Sequence, residues 1–196
     1  MNLCVLYCDY RVMTGKRALP PDSGRLYDEL LVTLVQTGDR RAAQRLAVRW
    51  QPRLARTARR LLGDDEAALS AVQEAWLSIL RGVRSLRDPS RFAPWAFGIL
   101  RRRCADHIRS AQAVRARTGE SESEPALPAT SDEKVAIAQA FSALPPDQRL
   151  AAQLFFVEGL TLAEIAEAQD VPLGTAKTRL FHARRKLKAA LTGDDR

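Results

Sequence analysis

Residues 159–188, GLTLAEIAEAQDVPLGTAKTRLFHARRKLK, hold two helical periodicities on either side of a short turn. Leu162, Ile165 and Ala166 are spaced to bury one face of a short helix, and Val171 punctuates the turn. Ala176, Leu180, Ala183, Leu187 and Leu191 then recur at three- and four-residue steps, the apolar stripe of a longer second helix. That helix carries Lys177, Arg179, Arg184, Arg185, Lys186 and Lys188, with no acid between Val171 and Leu191. A charge run is ordinarily a solvated helix face. One sign alone, directly after a turn of this length, predicts a helix-turn-helix whose second helix faces nucleic-acid phosphate.

The whole-chain balance agrees with a polyanionic partner: 196 residues carry a formal charge of +8 and a pI near 10.0. That length allows one compact domain or two small ones. No long apolar run is present, so no membrane insertion is expected. The first residues, MNLCVLYCDYRVMTGKRALPP, have a short apolar patch and no basic leader, which does not read as a secretory signal. Met13 is an alternative start. Three cysteines, an odd number, argue against a disulfide framework and fit a cytoplasmic setting. Cys4 and Cys8 have no histidine near them, since His107 and His182 are the only two, so no metal or other cofactor is expected. Cys104 reads as a small core residue.

Nearly everything predicts helix, and no period-two run stands out. Helices are expected over about 26–36, 40–62, 65–81 and 91–111. Pro52 predicts a kink or break near Trp50–Gln51. Leu69, Val72, Trp76 and Ile79 form the expected core face of the third helix; Phe92, Trp95, Ile99 and Ile108 form that of the fourth. Residues 113–132 are rich in Ser, Glu, Pro and Ala and lack aromatics, a linker composition. Helical periodicity resumes at 133–144, and Pro145-Pro146 open a further helix carrying Leu150, Leu154 and Phe155 inward. The expected architecture is all-α: an extension (1–25), a helical domain (26–112), a linker (113–132) and a second helical domain (133–196).

The order of these parts, and several local words, resemble a bacterial sigma-70 family sigma factor of the extracytoplasmic-function (ECF) group. LPPDQRLAAQLFFVEGLTLAEIAEAQDVPLGTAKTRLFHARRKLKAAL (144–191) is similar to the family's region 4. QEAW (Gln73–Trp76) and FAPWAFGILRRRCADHIR (Phe92–Arg109) are similar to its region 2. The resemblance implies recognition rather than catalysis. Region 2 would dock on the beta-prime clamp helices of core RNA polymerase and open the minus-10 element, while region 4 would read the minus-35 element near the beta flap. It points to Lys177, Thr178, Phe181 and His182 as readers of base edges, with Arg179, Arg184 and Arg185 as phosphate clamps. Minus-10 contacts fall to Arg91, Trp95, Arg101 and Arg102, with Arg102 replacing the family's usual asparagine. The loop Ser85–Arg91 corresponds to the element that captures a flipped base. Asp170 stands where many relatives have glycine, and aspartate visits the left-handed conformation more readily than most residues.

The pattern breaks just before Gln73. The family usually has an acidic word there, whereas this chain reads Ala67-Ala68-Leu69-Ser70. Asp64, Asp65 and Glu66, one turn earlier, together with Gln73 and Glu74, are the expected polymerase contacts. Some family members lacking the acidic word carry a hydroxyl residue and are switched on by a Ser/Thr kinase. Phosphorylation of Ser70 would add about −1.5 to −2 charges at that point. An anti-sigma factor is a further partner the resemblance implies. Two other classes compete: a polymerase-independent helix-turn-helix regulator, and an enzyme acting on DNA. The first needs a sensory or dimerisation domain, and the second needs converging catalytic groups. Asp106-His107 is the only adjacent pair, and a helix-stabilising role suits it better.

Overall fold

A computed structural model describes residues 21–118 and 132–192. The expectations for Cys4, Cys8, Met13 and most of the linker lie outside these residues. Every regular element among them is helical. The N-terminal set comprises α1 (Pro21–Gln36), α2 (Arg40–Leu62), α3 (Asp65–Gly82) and α4 (Phe92–Thr118), with 3-10 turns Val83–Ser85 and Pro89–Arg91 between α3 and α4. The C-terminal set comprises α5 (Asp132–Ser142), α6 (Pro146–Ala152), a π turn (Gln153–Val157), α7 (Leu162–Gln169) and α8 (Leu173–Thr192).

Local chemistry sets the boundaries. Asp39 caps α2 by accepting from the Arg41 and Ala42 amides at 2.7 and 3.1 Å, and Gly63 ends it at φ 69°. Asp64 caps α3 by accepting from the Ala67 amide at 2.6 Å. Thr161 and Glu164 close a reciprocal capping box at the start of α7. Asp170 takes the left-handed position after α7, at φ 54° and ψ 54°, as the turn requires.

Several expectations shift. The first helix begins at Pro21, a good first-turn residue, five positions earlier than expected. Helix α2 is a single helix through Pro52, so the expected break does not occur there. Burial of Leu46, Trp50 and Leu54 along one side offsets the roughly 3 kcal/mol that an interior proline costs. Helix α4 runs on to Thr118, because Gln112–Arg117 are mostly strong helix formers. Leu69 is exposed rather than core, Ile108 is half-buried, and Leu191 is exposed.

The N-terminal core centres on Trp50, which meets Phe92 edge-on at 4.9 Å and Phe97 at 5.7 Å. Leu31, Val32, Leu46, Leu54, Val72, Ile79 and Leu100 complete it. A smaller cluster holds Phe141, Leu144, Ala152, Ala183 and Leu187. The two helical sets are not separate bodies. Leu150, Leu154, Leu160, Ile165 and Ala168 bury themselves in the N-terminal core, so α6 and α7 lie against α2 and α4.

Candidate nucleic-acid interface

Helix α8 is anchored by Ala176, Leu180, Ala183 and Leu187, all buried. That phase turns Lys177, Thr178, Phe181, Arg184 and Arg185 to solvent. Phe181 is 61% exposed beside a 5% exposed Leu180, so its ring is not part of the core. Its edge meets the half-buried His182 ring at 5.5 Å. Thr178 donates its hydroxyl to the Gly174 carbonyl at 3.0 Å.

Arg179 has partners within the protein. Its guanidinium reaches Asp147 at 2.6 Å and Gln169 at 3.0 Å, while Gln169 donates to the Asp147 carbonyl at 2.9 Å. Position 179 flanks the buried Ala176–Leu180 stripe and therefore points back toward α6. These bonds tie α8 to α6 and to the end of α7.

The loop before α4 is pre-organised. Asp88 accepts from the Ser90 hydroxyl at 2.6 Å and the Ser90 amide at 3.0 Å, and these bonds hold its carboxyl below the usual carboxylate range. Trp95 is half-buried against Phe92 at 6.0 Å. It also covers Gly82 so closely that a Cβ there would sit 3.0 Å from the indole. The three consecutive arginines diverge, as helical geometry demands. Arg101 is half-buried, with a buried Nε that finds no hydrogen-bond partner among the described residues; Arg102 is exposed; Arg103 donates to the Ser78 hydroxyl at 2.9 Å. Asp106 pairs with Arg103 and Arg109 on its own helix, and His107 meets Glu74 at 3.2 Å.

On α3, Asp64, Asp65 and Glu66 are exposed in the first turn, with Asp65 also 3.0 Å from Arg59. Gln73 is exposed and Glu74 half-exposed. Trp76 turns inward and donates to Gln51 at 2.6 Å. The same face shows Leu69, Leu77 and Leu80, each more than half exposed. With Gln73 they follow a spacing of four, four and three residues, one step off the Val72–Ile79 core phase, and that offset was the available signal. Ser70 is half-buried beside this stripe.

The contact between the two helical sets is ionic at its rim. Glu158 sits between Arg53 and Arg56, at 2.8 and 3.0 Å, with its side chain only 1% exposed. Glu164 takes Arg25 at 3.1 Å, and Glu167 takes Arg91. Burial pushes the Glu164 carboxyl up. The Thr161 amide and hydroxyl and the Arg25 guanidinium outweigh this and hold it below the usual range. Arg149 spans the same boundary, donating to the Ser142, Leu144 and Arg60 carbonyls, and burial lowers its pKa. These pairs link residues about a hundred positions apart, so no local pattern announces them. Among the described residues no His/Cys/Asp/Glu group is arranged to hold a metal, and burial pushes the Cys104 thiol up to about 12. No described helix is long and apolar enough to cross a membrane.

Family profiles match both halves: Sigma-70 region 2 over residues 46–114, and Sigma-70, region 4 over residues 134–187. The ECF RNA polymerase sigma-E factor of Escherichia coli K12 is 30% identical over 178 residues, covering 83% of this chain and 93% of the relative. The RNA polymerase sigma-H factor of Pseudomonas aeruginosa is 28% identical over 181 residues, covering 84% and 93%. Among solved structures, the sigma factor RpoE bound to the anti-sigma factor NepR from Bartonella quintana aligns at TM-score 0.68 and 24% identity, over 78% of this chain and 98% of that one. CnrH in complex with the cytosolic domain of CnrY aligns at 0.63 and 23%, over 86% and 99%. At these identities the solved structures speak to fold alone.

Proposed function

The chain belongs to the sigma-70 family, in its ECF group, and on that premise we propose that it binds core RNA polymerase and directs it to a two-part promoter. The observation that carries this reading is the solvent-facing row Lys177, Thr178, Phe181, Arg184 and Arg185 on a helix held rigid from behind. Lys177, Thr178, Phe181 and His182 read minus-35 base edges in the major groove, and Arg184 and Arg185 clamp phosphates. Arg179 is reassigned to positioning the helix. The loop Ser85–Arg91, with Trp95, Arg101 and Arg102, engages the minus-10 strand. The unsatisfied Arg101 Nε supports this, since a buried donor without a partner is ordinarily completed by a ligand or water.

Polymerase docking is assigned to α3. Leu69, Leu77 and Leu80 supply apolar contact around Gln73, and Asp64, Asp65, Glu66 and Glu74 supply charge for basic residues on the beta-prime clamp helices; region 4 adds the beta flap. An anti-sigma factor is the further protein partner, by extension from the complexes named for the solved relatives. A finer proposal concerns Ser70, which neighbours Leu69 at the edge of this stripe: a Ser/Thr kinase would restore there the charge the family's acidic word supplies. Core-polymerase pull-down with Ser70→Glu and Ser70→Ala tests it, and equal binding by wild type and both variants sinks it.

The parent reading is tested by run-off transcription from genomic fragments with core polymerase. Specific start sites are expected only when this chain is added. Starts that are the same with and without it overturn the reading. Tight fragment binding without any specific start would identify a polymerase-independent regulator instead.

A further inference from the structure

The acids and arginines at the domain boundary are distributed unevenly. Residues 21–118 hold nineteen arginines against ten acidic residues, whereas residues 158–170 hold four acids and no base. Three of those four acids, Glu158, Glu164 and Glu167, lie against arginines of the N-terminal domain. Their partners Arg25, Arg53, Arg56 and Arg91 all meet the single stretch 158–167 that runs from the π turn into α7. Arg25 and Arg91 line a single cleft with Leu26 and Ser90, closed on its far side by Thr161, Ala163 and Glu164. The Arg53 guanidinium lies over the Trp50 ring at 4.0 Å, a cation–π contact that positions it independently of Glu158. Asp28 also comes within 3.8 Å of Arg53, a looser approach than that of Glu158 at 2.8 Å.

A guanidinium fork that donates to a carboxylate can donate to phosphate oxygens in the same geometry. Arg91 also closes the 3-10 turn at the end of the loop assigned above to a flipped base. We propose that Arg25, Arg53, Arg56 and Arg91 form a phosphate-binding row for single-stranded DNA. Glu158, Glu164 and Glu167 occupy that row in place of phosphates until region 4 moves off. The proposal rests on the promoter-reading assignment and extends it to three arginines on α1 and α2, outside the minus-10 loop.

Gly98 allows a test that leaves every charge in place. The three atoms nearest a Cβ at Gly98 all belong to the backbone of Ala168 in α7, the closest at 3.5 Å, so the longer side chain of Gly98→Leu is directed against α7, and thermal melting checks that the fold is kept. The triple variant Glu158→Gln/Glu164→Gln/Glu167→Gln opens the same boundary by a different route. Full-length proteins are compared by small-angle scattering for compaction, by thermal melting for fold, and by anisotropy of a labelled oligothymidylate for binding. Both opened variants are expected to be more extended than wild type and to bind the oligonucleotide about tenfold tighter or more, as release of a mostly closed state requires. Adding Arg25→Ala and Arg56→Ala to Gly98→Leu should abolish that gain and reduce the log–log salt slope by about 0.7 per arginine.

Expansion without tighter binding overturns the row, and so does a gain that survives loss of the arginines. A wild type already as extended as both variants overturns the closure. Run-off transcription by the wild type separates this from the parent reading. Specific starts with no oligonucleotide gain leave the sigma-factor function standing and the row refuted. A gain without specific starts does the reverse.

Discussion

Phe181 and Leu180 are adjacent apolar residues with opposite fates, and the difference sets what each substitution does. Leu180→Ala opens space in the helix-turn-helix core and should cost about 2–5 kcal/mol of stability, read by thermal or urea unfolding. Phe181→Ala should leave the unfolding midpoint within experimental scatter while weakening minus-35 duplex binding by about 1 kcal/mol or more, read by fragment titration. An equal loss of stability in both would remove Phe181 from the reader row. The arginines divide in the same way. Arg184→Ala should lower the log–log salt slope of duplex binding by about 0.9. Arg179→Ala should change the slope less and the stability more, because its guanidinium already has Asp147 and Gln169. The exposure of Phe181 was legible in the sequence, since Leu180 already filled the apolar phase. The fate of Arg179 was not, because Asp147 lies 32 positions away and no local spacing connects them.

Helices declare themselves through their ends and stripes, and here the ends are the better-specified part. Asp39, Gly63, Asp64, Thr161 and Asp170 each stand at a boundary where their side chain or backbone freedom is used. Thr161→Ala should cost about 1 kcal/mol, because it removes one half of the capping box and loosens Glu164. Stripes mislead when two phases overlap. On α3, Leu69 reads as core beside Val72 and Ile79, yet it belongs with Gln73, Leu77 and Leu80 on the exposed side. Leu77→Ser with Leu80→Ser should therefore leave the melting temperature nearly unchanged and weaken core-polymerase capture severalfold, measured by pull-down. A large drop in stability instead would place those residues in the fold and not in the docking surface. Pro52 shows the converse: a breaker read locally is overridden by the buried side of α2.

The two-domain, all-helical plan was visible in composition and periodicity, but the packing of one domain on the other was not, because it depends on single long-range pairs. That packing has a pH signature. The Glu164 carboxyl is held below its ordinary 4.5 by Thr161 and Arg25, so its contribution to closure is complete above that value. It is lost as pH falls through the lowered value. Scattering should show the chain expanding as pH drops below about 4.5, and Glu164→Gln should weaken closure at neutral pH and blunt the change. Because both partners belong to one chain, joined across residues 119–131, closure proceeds at an effective concentration of order millimolar that dilution does not reduce. Any ligand of the arginine row then meets it with an apparent Kd equal to the intrinsic value divided by the open fraction. A polymerase that favours the open form by gripping α3 and α8 together raises that fraction. Thermodynamic reciprocity then requires the DNA strand to tighten the grip of the polymerase by the same factor, without any contact between the two ligands.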